Sequence, residues 1–419
     1  MNYIPTTQRD KKEMLRTIGI ESINDLVKDF KPLLTTNLNL PKPLSEFEVK
    51  QHIQELASKN RVLRYFVGAG SYNHYIPSAL NHLVSRGEFS TGYTPYQPEM
   101  SQGTLQSMYE FQSYICILTG MDVANASLYD GASALAEAAL LCASQTGRNR
   151  IFVKDGLHPQ HMQVLKTYCN TSNLEITEQI DDKTACVIAQ NPDFYGNVEN
   201  LSKLAELAHN AGALFVVSVI EPTSLAILKA PSDYGADVVV GEGQSFGIPM
   251  NFGGPYLGFL AVKDFLLKKI PGRICGMTTD VNGNKGFVLT FQAREQHIRR
   301  ERATSNITTN QGLMALAVTI YLSLMGKNGL QTIAKLSYAR SHLLQQKLDG
   351  LGFKILNDRP FYNEFFVKTP KPADSILEAL LRNGIHGGYK IDDDKLLICC
   401  TEMNTTSDID NFVTTVKNL

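Results

Sequence analysis

The sequence predicts an α/β protein built on a largely parallel sheet. Between residues 150 and 265, short apolar runs alternate with helical patterns, as expected when helices cover both faces of a sheet. One such run, Val238 to Val240, leads into the glycine-rich turn Gly241-Glu-Gly-Gln244, and a second apolar run follows at 256–262. Many α/β enzymes hold reactive side chains where a buried strand ends. This turn, however, contains no lysine, cysteine or histidine.

Length and charge restrict the class of protein. With 419 residues, of which 43% are hydrophobic and 19% charged, the chain is long enough for a large core and a smaller second domain. Its 40 basic and 41 acidic side chains nearly cancel, so no overall field attracts nucleic acid or an anionic membrane. The seven cysteines are scattered without a CxxC pair, which predicts reduced thiols and no metal site. Without a signal-peptide pattern or a membrane-spanning apolar run, we expect a cytoplasmic protein.

The first 62 residues predict a helical arm. Residues 11–18 are amphipathic, and Ser22 and Ser45 each precede a helical pattern with an acidic residue three positions later, as in a capping box. The segment between these patterns is too irregular to form a core by itself. We therefore expect the arm to pack on another surface.

Two polar loops follow the arm. Gly68-Ala-Gly70 lacks the third glycine of a dinucleotide-binding fingerprint, so we reject that function. Small residues followed by Ser71 to His74 nevertheless suit a loop whose backbone approaches another group closely. The stretch Tyr93 to Glu99 combines aromatic and polar side chains with two prolines, which is typical of an ordered surface loop.

A long helix is predicted over residues 101–119, and a strand, a tight turn and an alanine-rich helix over residues 126–142. The turn falls at Asp130-Gly131. Exposed amides and the helix dipole make such an N-terminus suitable for an anion, whereas a plain N-cap explains the same residues. The turn alone leaves both interpretations open.

The remaining elements define the sheet and a second α/β unit. We predict strands at 150–153, 186–190 and 214–220, and helices at 158–169, 198–211, 311–325 and 330–348. Residues 276–310 are interpreted as the longest loop-rich region, in which Arg302 to Asn306 has the chemistry to bind phosphate or belongs to a solvated, salt-bridged face. Beyond Gly352 we predict strands at 353–356, 364–368 and 396–400, and helices at 373–383 and from 407. The predicted domains are 1–62, 63–326 and 327–419.

Several of these stretches together resemble one family. They are 68–73, 93–99 with 101–103, 124–127, 130–134, 241–244 with 252–256, and 302–307. The combination resembles the glycine decarboxylase P-protein family of the glycine cleavage system, in particular its short form, in which two subunits form one enzyme. This resemblance covers nearly the whole chain from Tyr3. It implies an aspartate-aminotransferase-like fold (PLP fold type I), with a mostly parallel seven-stranded sheet and a smaller C-terminal α/β domain.

The resemblance also implies an activity and its partners. Enzymes of this family are oxidoreductases of glycine catabolism that decarboxylate glycine with pyridoxal phosphate and transfer the aminomethyl group to the lipoyl arm of the H-protein. The cofactor needs a lysine and an acidic partner for its ring nitrogen. Here the lysine position falls at Gln244-Ser245, and the acid position falls at Ser218. We therefore expect the partner, subunit 2, to hold the cofactor covalently in an α2β2 heterotetramer, and this chain to be inactive alone.

By the same analogy, the chain contributes a surface rather than a complete catalytic site. The expected composite-site residues near the glycine bound by the partner are Asn73, His74, Tyr93, Tyr96 and Glu99. The residues expected to bind the partner's cofactor phosphate are Thr304 and Ser305. The expected vestigial pocket of this chain consists of Asp130, Gly131, Ala132, Ser133, Ser218, Gln244 and Ser245.

Two other functions remain open at this stage. A self-sufficient pyridoxal-phosphate enzyme, related to aminotransferases or cysteine desulfurases, would need another lysine, and the candidates downstream of the turn are Lys263 and Lys285. A non-catalytic scaffold would only stabilise subunit 2 and present the H-protein. Substitutions at Tyr96 or Glu99 distinguish the scaffold from a composite site, because only the composite site needs those side chains for turnover.

Overall fold

The computed structural model describes residues 5–33, 39–90, 94–303, 305–308 and 310–419. Contacts divide the chain into two compact units, residues 1–61 and residues 62–419. The further division predicted at residue 326 stays a prediction.

The α-helices are α1 Gln8–Ile18, α2 Ile23–Leu26, α3 Glu46–Ser58, α4 Ser78–Val84, α5 Gly87–Ser90, α6 Gln102–Thr119, α7 Gly131–Thr146, α8 Pro159–Thr171, α9 Ser202–Asn210, α10 Gln296–Arg299, α11 Gly312–Asp349, α12 Ala373–Arg382 and α13 Thr406–Lys417. The strands are β1 Arg64–Tyr65, β2 Val123–Ala124, β3 Arg150–Val153, β4 Glu175–Thr177, β5 Thr184–Gln190, β6 Leu214–Val219, β7 Val238–Glu242, β8 Gly258–Val262, β9 Ile274–Thr279, β10 Lys285–Thr290, β11 Lys354–Ile355, β12 Glu364–Lys368, β13 Ile385–His386, β14 Tyr389–Asp392 and β15 Lys395–Cys399.

The first unit contains helices without an interior of their own. The predicted capping boxes at Ser22 and Ser45 are both present, because each side chain and its acidic partner exchange hydrogen bonds with backbone N–H groups. None of the described side chains of this unit is buried. Apolar side chains such as Ile18, Phe47 and Ile53 are each more than half exposed. The arm thus presents apolar surface rather than enclosing it.

The second unit is organised around a seven-stranded sheet with the order β2-β8-β7-β6-β5-β3-β4. The pairs from β7 through β4 are parallel, and only the pairs made by β8 are antiparallel. The prediction of a mostly parallel seven-stranded sheet is therefore confirmed. The parallel strands bring their carboxyl ends to one edge, which is where β7 enters its glycine turn.

Alternation along the strands explains why the sheet is covered on both faces. In β6 and β7, Val217 and Val239 join one hydrophobic core, while Val216, Val238 and Val240 join another. Helices α6 and α11 supply side chains to the first core, and α7 and α8 supply side chains to the second. Every residue of β7 is buried, as expected of a strand between two helical layers.

The long helix α11 connects two cores. Ala315 to Leu322 pack beneath the sheet, whereas Leu344 and Leu348 pack against the four-stranded sheet β11-β12-β15-β14. By length and composition α11 resembles a membrane-spanning helix, but these contacts make it a core helix. Its two predicted halves meet at Gly326, where φ of 56° and ψ of −173° interrupt the helical backbone.

The structure corrects two predictions from the sequence. The strand expected from Ala126 instead lies at Val123–Ala124, and Ser127 with φ of 114° is outside it. The region interpreted as a long loop contains the antiparallel hairpin of β9 and β10, in which Ile274 pairs with Thr290. The Asn282-Gly283 dipeptide between β-prone residues is a hairpin signal that the loop interpretation overlooked.

Candidate functional site

The turn after β7 lies at the carboxyl edge of the sheet and needs its glycines. A Cβ atom on Gly241 would collide with the carbonyl oxygen of Val219 in the neighbouring strand. Gln244 and Ser245 then follow, only 2% and 1% exposed. The predicted lysine position is thus occupied by two short or neutral polar side chains inside the protein.

The amide of Gln244 fixes the turn to the loop that precedes α4. Its Oε1 accepts from the Tyr72 backbone N–H at 2.8 Å, and its Nε2 donates to the Tyr72 carbonyl at 3.0 Å. The same nitrogen donates to the carbonyl of Ile248 at 2.8 Å. In that loop, Gly70 adopts φ of 101° and lies against the imidazole of His158. The close backbone approach predicted for this loop is confirmed.

Glu242 provides the anion at the N-terminus of α7. Its carboxylate is 3% exposed and accepts from the backbone N–H groups of Gly131 at 2.9 Å, Leu257 at 2.8 Å and Gln244 at 3.1 Å. Burial raises the pKa of Glu242 to about 7, although these three donors favour the ionised form.

The helix itself is capped locally. The side chain of Asp130 accepts from the Ser133 backbone N–H at 2.7 Å, and Ser133 Oγ accepts from the Asp130 backbone N–H at 3.2 Å. The N-cap interpretation of this turn is therefore confirmed.

A second buried network starts at Ser245. Its hydroxyl donates to Glu221 Oε2 at 2.8 Å, and the same oxygen is 3.2 Å from His74 Nε2. The other ring nitrogen of His74 is 2.8 Å from Glu402 Oε2. Burial alone would lower the pKa of His74, but the two carboxylates raise it to about 10. An imidazolium therefore joins the end of β6 to the segment that follows β15.

Ser218, at the predicted position of the acid, is the last residue but one of β6 and is 0% exposed. Its hydroxyl has no hydrogen-bond partner among the described residues. The nearest acid in the sequence is Glu221, which is engaged by His74 and Ser245. The position is thus closed rather than prepared for a cationic ring.

A cavity of about 460 Å³ adjoins these groups. Its lining includes Asp130, Ala132, His158, His161, Glu242 and Tyr256. His158 Nε2 is 2.9 Å from the Ala69 carbonyl, and its Nδ1 accepts from the Gln160 N–H at 3.2 Å, which defines a neutral tautomer. Burial, and secondarily His158, lowers the pKa of His161 to about 3. The cavity therefore has neutral imidazoles and two acidic side chains.

Two of the composite-site candidates, Tyr96 and Glu99, lie in one segment on the surface. Tyr96 is 46% exposed, its hydroxyl accepts from Arg273 Nη2 at 3.2 Å, and the guanidinium lies 5.2 Å from its ring centroid. Arg273 is 3% exposed and holds the ring from beneath. Glu99 is exposed in the same segment. Tyr93 lies outside the described residues.

The other predicted surface residues differ in their positions. Asn73 is half-buried and accepts through its backbone carbonyl from Thr401 Oγ1 at 2.7 Å. His74 is 6% exposed and belongs to the buried network with Glu221 and Glu402. Ser305 Oγ accepts from the Ile307 N–H at 3.1 Å and also bonds Glu137 of the same chain. Thr304 lies outside the described residues.

Sequence reasoning missed Glu221, Glu242, His158 and Arg273. Two of them had a visible signal, because Glu221 and Glu242 are charged residues that end or follow otherwise apolar strands. The other two become significant only through contacts with distant segments.

Comparison with known proteins gives three concordant findings. The glycine cleavage system P-protein family matches residues 1–416. The probable glycine dehydrogenase (decarboxylating) subunit 1 of Desulforamulus reducens is 47% identical, with 98% of each chain covered. A crystal structure of glycine decarboxylase (P-protein) of the glycine cleavage system, in inhibitor-bound form, superimposes with a TM-score of 0.94 at 40% identity over 100% of both chains.

A more distant structure supports the fold alone. A C-DES variant with glycine covalently linked to its PLP cofactor superimposes with a TM-score of 0.60 at 14% identity, over 88% of this chain and 99% of that one. The expected PLP fold type I is therefore confirmed.

The residues at the turn do not fit pyridoxal phosphate. The Schiff base needs a lysine, but Gln244 and Ser245 are already hydrogen-bonded inside the protein. The ring nitrogen needs an acid, but Ser218 is a hydroxyl without a partner. A phosphate group would encounter the buried carboxylate of Glu242 at the N-terminus of α7.

Proposed function

Because the chain belongs to the glycine cleavage system P-protein family, we propose that it acts as one subunit of a two-subunit glycine dehydrogenase (decarboxylating) whose partner holds the cofactor. The observation that carries this proposal is the turn after β7. It has no lysine, and both the oxygen and the nitrogen of the Gln244 side-chain amide are hydrogen-bonded to backbone groups of the same chain. A chain with this turn needs a second subunit to supply the covalent chemistry.

The proposed reaction removes the carboxylate of glycine as CO2 and transfers the aminomethyl group to one sulfur of the lipoyl disulfide of the H-protein. The S–S bond breaks, and the second sulfur takes up the electron pair as a thiol. Pyridoxal phosphate, when bound by the partner, supplies the electron sink for the carbanion. The residues of this chain act by orienting the substrate, excluding water and placing fixed charges.

We assign the contributing surface to the segment that carries Tyr96 and Glu99. Tyr96 exposes its ring while a buried guanidinium fixes its hydroxyl, which is the combination expected of a group that is held ready for a ligand from outside. Tyr93 belongs to the same stretch of sequence. Thr304 and Ser305 stay proposed as donors to the partner's cofactor phosphate, since hydroxyl groups are good phosphate donors. For Ser305 this role requires its hydroxyl to exchange Glu137 for the phosphate.

His74 and Asn73 have a different proposed part. Both ring nitrogens of His74 are engaged by Glu221 and Glu402, so His74 acts as a positioning residue that fixes the loop between β1 and α4. The proposed direct contacts to glycine therefore come from the tyrosine segment and not from His74.

The helical arm supports an assembly. Apolar side chains on α1 and α3 are exposed in this chain, and we propose that they pack on the partner subunit in an α2β2 heterotetramer. We also propose a cytoplasmic location, which suits a chain whose seven cysteines are all free thiols.

The decisive experiment measures glycine-dependent exchange of CO2 with this chain alone, the partner alone and both together, in the presence of pyridoxal phosphate and lipoylated H-protein. We expect exchange only from the mixture. Exchange by this chain alone would refute the proposal. In that case borohydride reduction and peptide mapping would test Lys263 and Lys285, the second of which lies exposed in the β9–β10 hairpin.

A further inference from the structure

The three N–H groups around Glu242 come from three separate segments. Gly131 begins α7, Gln244 lies in the turn after β7, and Leu257 directly precedes β8. Converging backbone N–H groups at the positive end of a helix are the arrangement that binds external anions such as phosphate. In this chain an internal carboxylate already takes all three.

The cavity beside Glu242 does not provide a second anion site. Its described lining contains no lysine or arginine, and its two imidazoles are neutral because burial lowers their pKa values. Asp130 contributes a second acidic side chain, whose Oδ1 is bonded to the N–H of Ser133. Above the raised pKa of about 7 for Glu242, a phosphate entering the cavity would therefore meet like charge and no free amide of this group.

We propose that Glu242 is a built-in anion that occupies the phosphate position of this pocket and closes it to pyridoxal phosphate and to inorganic phosphate. Gln244 completes the closure because its amide binds Tyr72, so among the described residues of the turn Glu242 is the one whose side chain lines the cavity. The chain consequently folds without a cofactor. This inference concerns the chain alone and does not depend on the proposed function.

Chemical rescue tests the inference on the full chain. Glu242→Ala removes the carboxylate and leaves three buried N–H groups unpaired, so its Tm should fall by several degrees. Acetate, which restores a carboxylate, should raise the Tm of this variant by about 2–4 °C over chloride at equal ionic strength, and phosphate should act in the same direction. The same salts applied to wild type measure their general effect on Tm, and only the additional increase in Glu242→Ala counts as rescue.

Glu242→Gln is the matched control. Its amide fills the same volume but presents an NH2 group to N–H donors, so it should lower the Tm without rescue by acetate. If Glu242→Ala does not accumulate as folded protein, recovery of refolded protein from urea in acetate against chloride gives the same comparison.

Three results would overturn the inference. They are a Glu242→Ala variant as stable as wild type, a destabilised variant without specific acetate rescue, and stoichiometric binding of pyridoxal phosphate by wild type in equilibrium dialysis. Each can be separated from failure of the proposed function, which is judged only by CO2 exchange in the mixture of subunits.

Discussion

The turn after β7 and the segment around Tyr96 use their polar groups in opposite ways. At the turn, Glu242, Gln244 and Ser245 are almost completely buried, and each is bonded to another part of the same chain. Tyr96 is instead half exposed above a buried guanidinium. A fold can therefore keep the backbone geometry of a reactive site while the side chains there only stabilise the chain. A different surface then remains accessible to another chain.

The sharpest test of the cohesive role is His74→Asn. Removing the imidazolium leaves Glu221 and Glu402 buried without their shared counter-charge, so we expect a loss of about 3–5 kcal/mol in unfolding free energy. Urea denaturation measures it. The exposed His52→Asn variant serves as the control and should change stability by no more than about 0.5 kcal/mol. An equally small effect at His74 would mean that the network is not cohesive.

The functional role of the surface is tested by Tyr96→Phe, which keeps the ring over Arg273 and removes only the hydroxyl. We expect kcat/KM of the assembled enzyme to fall by about 100-fold, as for loss of a group that positions or transfers a proton. Size-exclusion chromatography should show unchanged assembly. Tyr338→Phe, at a tyrosine of equal exposure, should be neutral. Full activity of Tyr96→Phe would favour the scaffold alternative.

Gln244→Ala tests the two hydrogen bonds between the Gln244 amide and the Tyr72 backbone separately from the rest of the turn. The change strands the backbone N–H and carbonyl of Tyr72, and we expect a loss of about 2–3 kcal/mol. Removing the exposed Gln106 amide, which bonds only Glu110, is the control and should cost less than about 0.5 kcal/mol. Thermal denaturation of the two variants gives the comparison. Similar Tm values would mean that the hydrogen bonds from Gln244 to Tyr72 do not stabilise the chain.

The pH dependence of stability follows from His74. Its folded pKa of about 10 lies above the usual value, so the stabilisation is complete at low pH and is lost as pH rises towards 10. Between pH 8 and 10, above the raised pKa values of about 7 for Glu242 and about 8 for Glu364, His74 should lower the unfolding free energy by up to about 1.4 kcal/mol per pH unit. Buried cysteines such as Cys116 and Cys169, whose pKa burial raises to about 11, steepen the slope above about pH 9 in wild type and variant alike. His74→Asn should therefore reduce the slope by the share of His74, and equal slopes in the two proteins would contradict the assignment.

The smallest effect is expected at Ser218. Its buried hydroxyl has no partner among the described residues, so Ser218→Ala should change unfolding free energy by less than about 0.5 kcal/mol or increase it slightly. A large loss, measured by urea denaturation, would show that the hydroxyl bonds a group that the structure does not place there.

Local patterns predicted what local physics determines. Strand β3 has the predicted bounds, and the helix cap at Asp130 was one of the two interpretations that the sequence left open for that turn. Family resemblance added the sheet of seven strands. The hairpin of β9 and β10 was missed because glycines and polar residues dominated the interpretation, although Asn282-Gly283 marked its turn.

The buried networks could not be predicted in this way. His74 contacts Glu221 across 147 positions and Glu402 across 328, and no spacing rule connects residues so far apart. Glu242 and Glu221 were visible in the sequence. Only the fold shows that Glu242 accepts from the N-terminus of α7 and that Glu221 binds His74. The sequence therefore showed that the lysine is absent, but it did not show which groups form the buried networks in its place.

The buried contacts between the loop at His74 and the segment at Glu402 also determine the order in which parts of the chain can fold during synthesis. The contacts of Asn73 with Thr401 and of β1 with β13 need residues near the end of the chain. At about 5–20 residues per second, the ribosome takes roughly 16–65 s to add the 328 residues that separate the two sides. We expect the early loop to stay accessible to proteases on nascent chains until the last strands emerge.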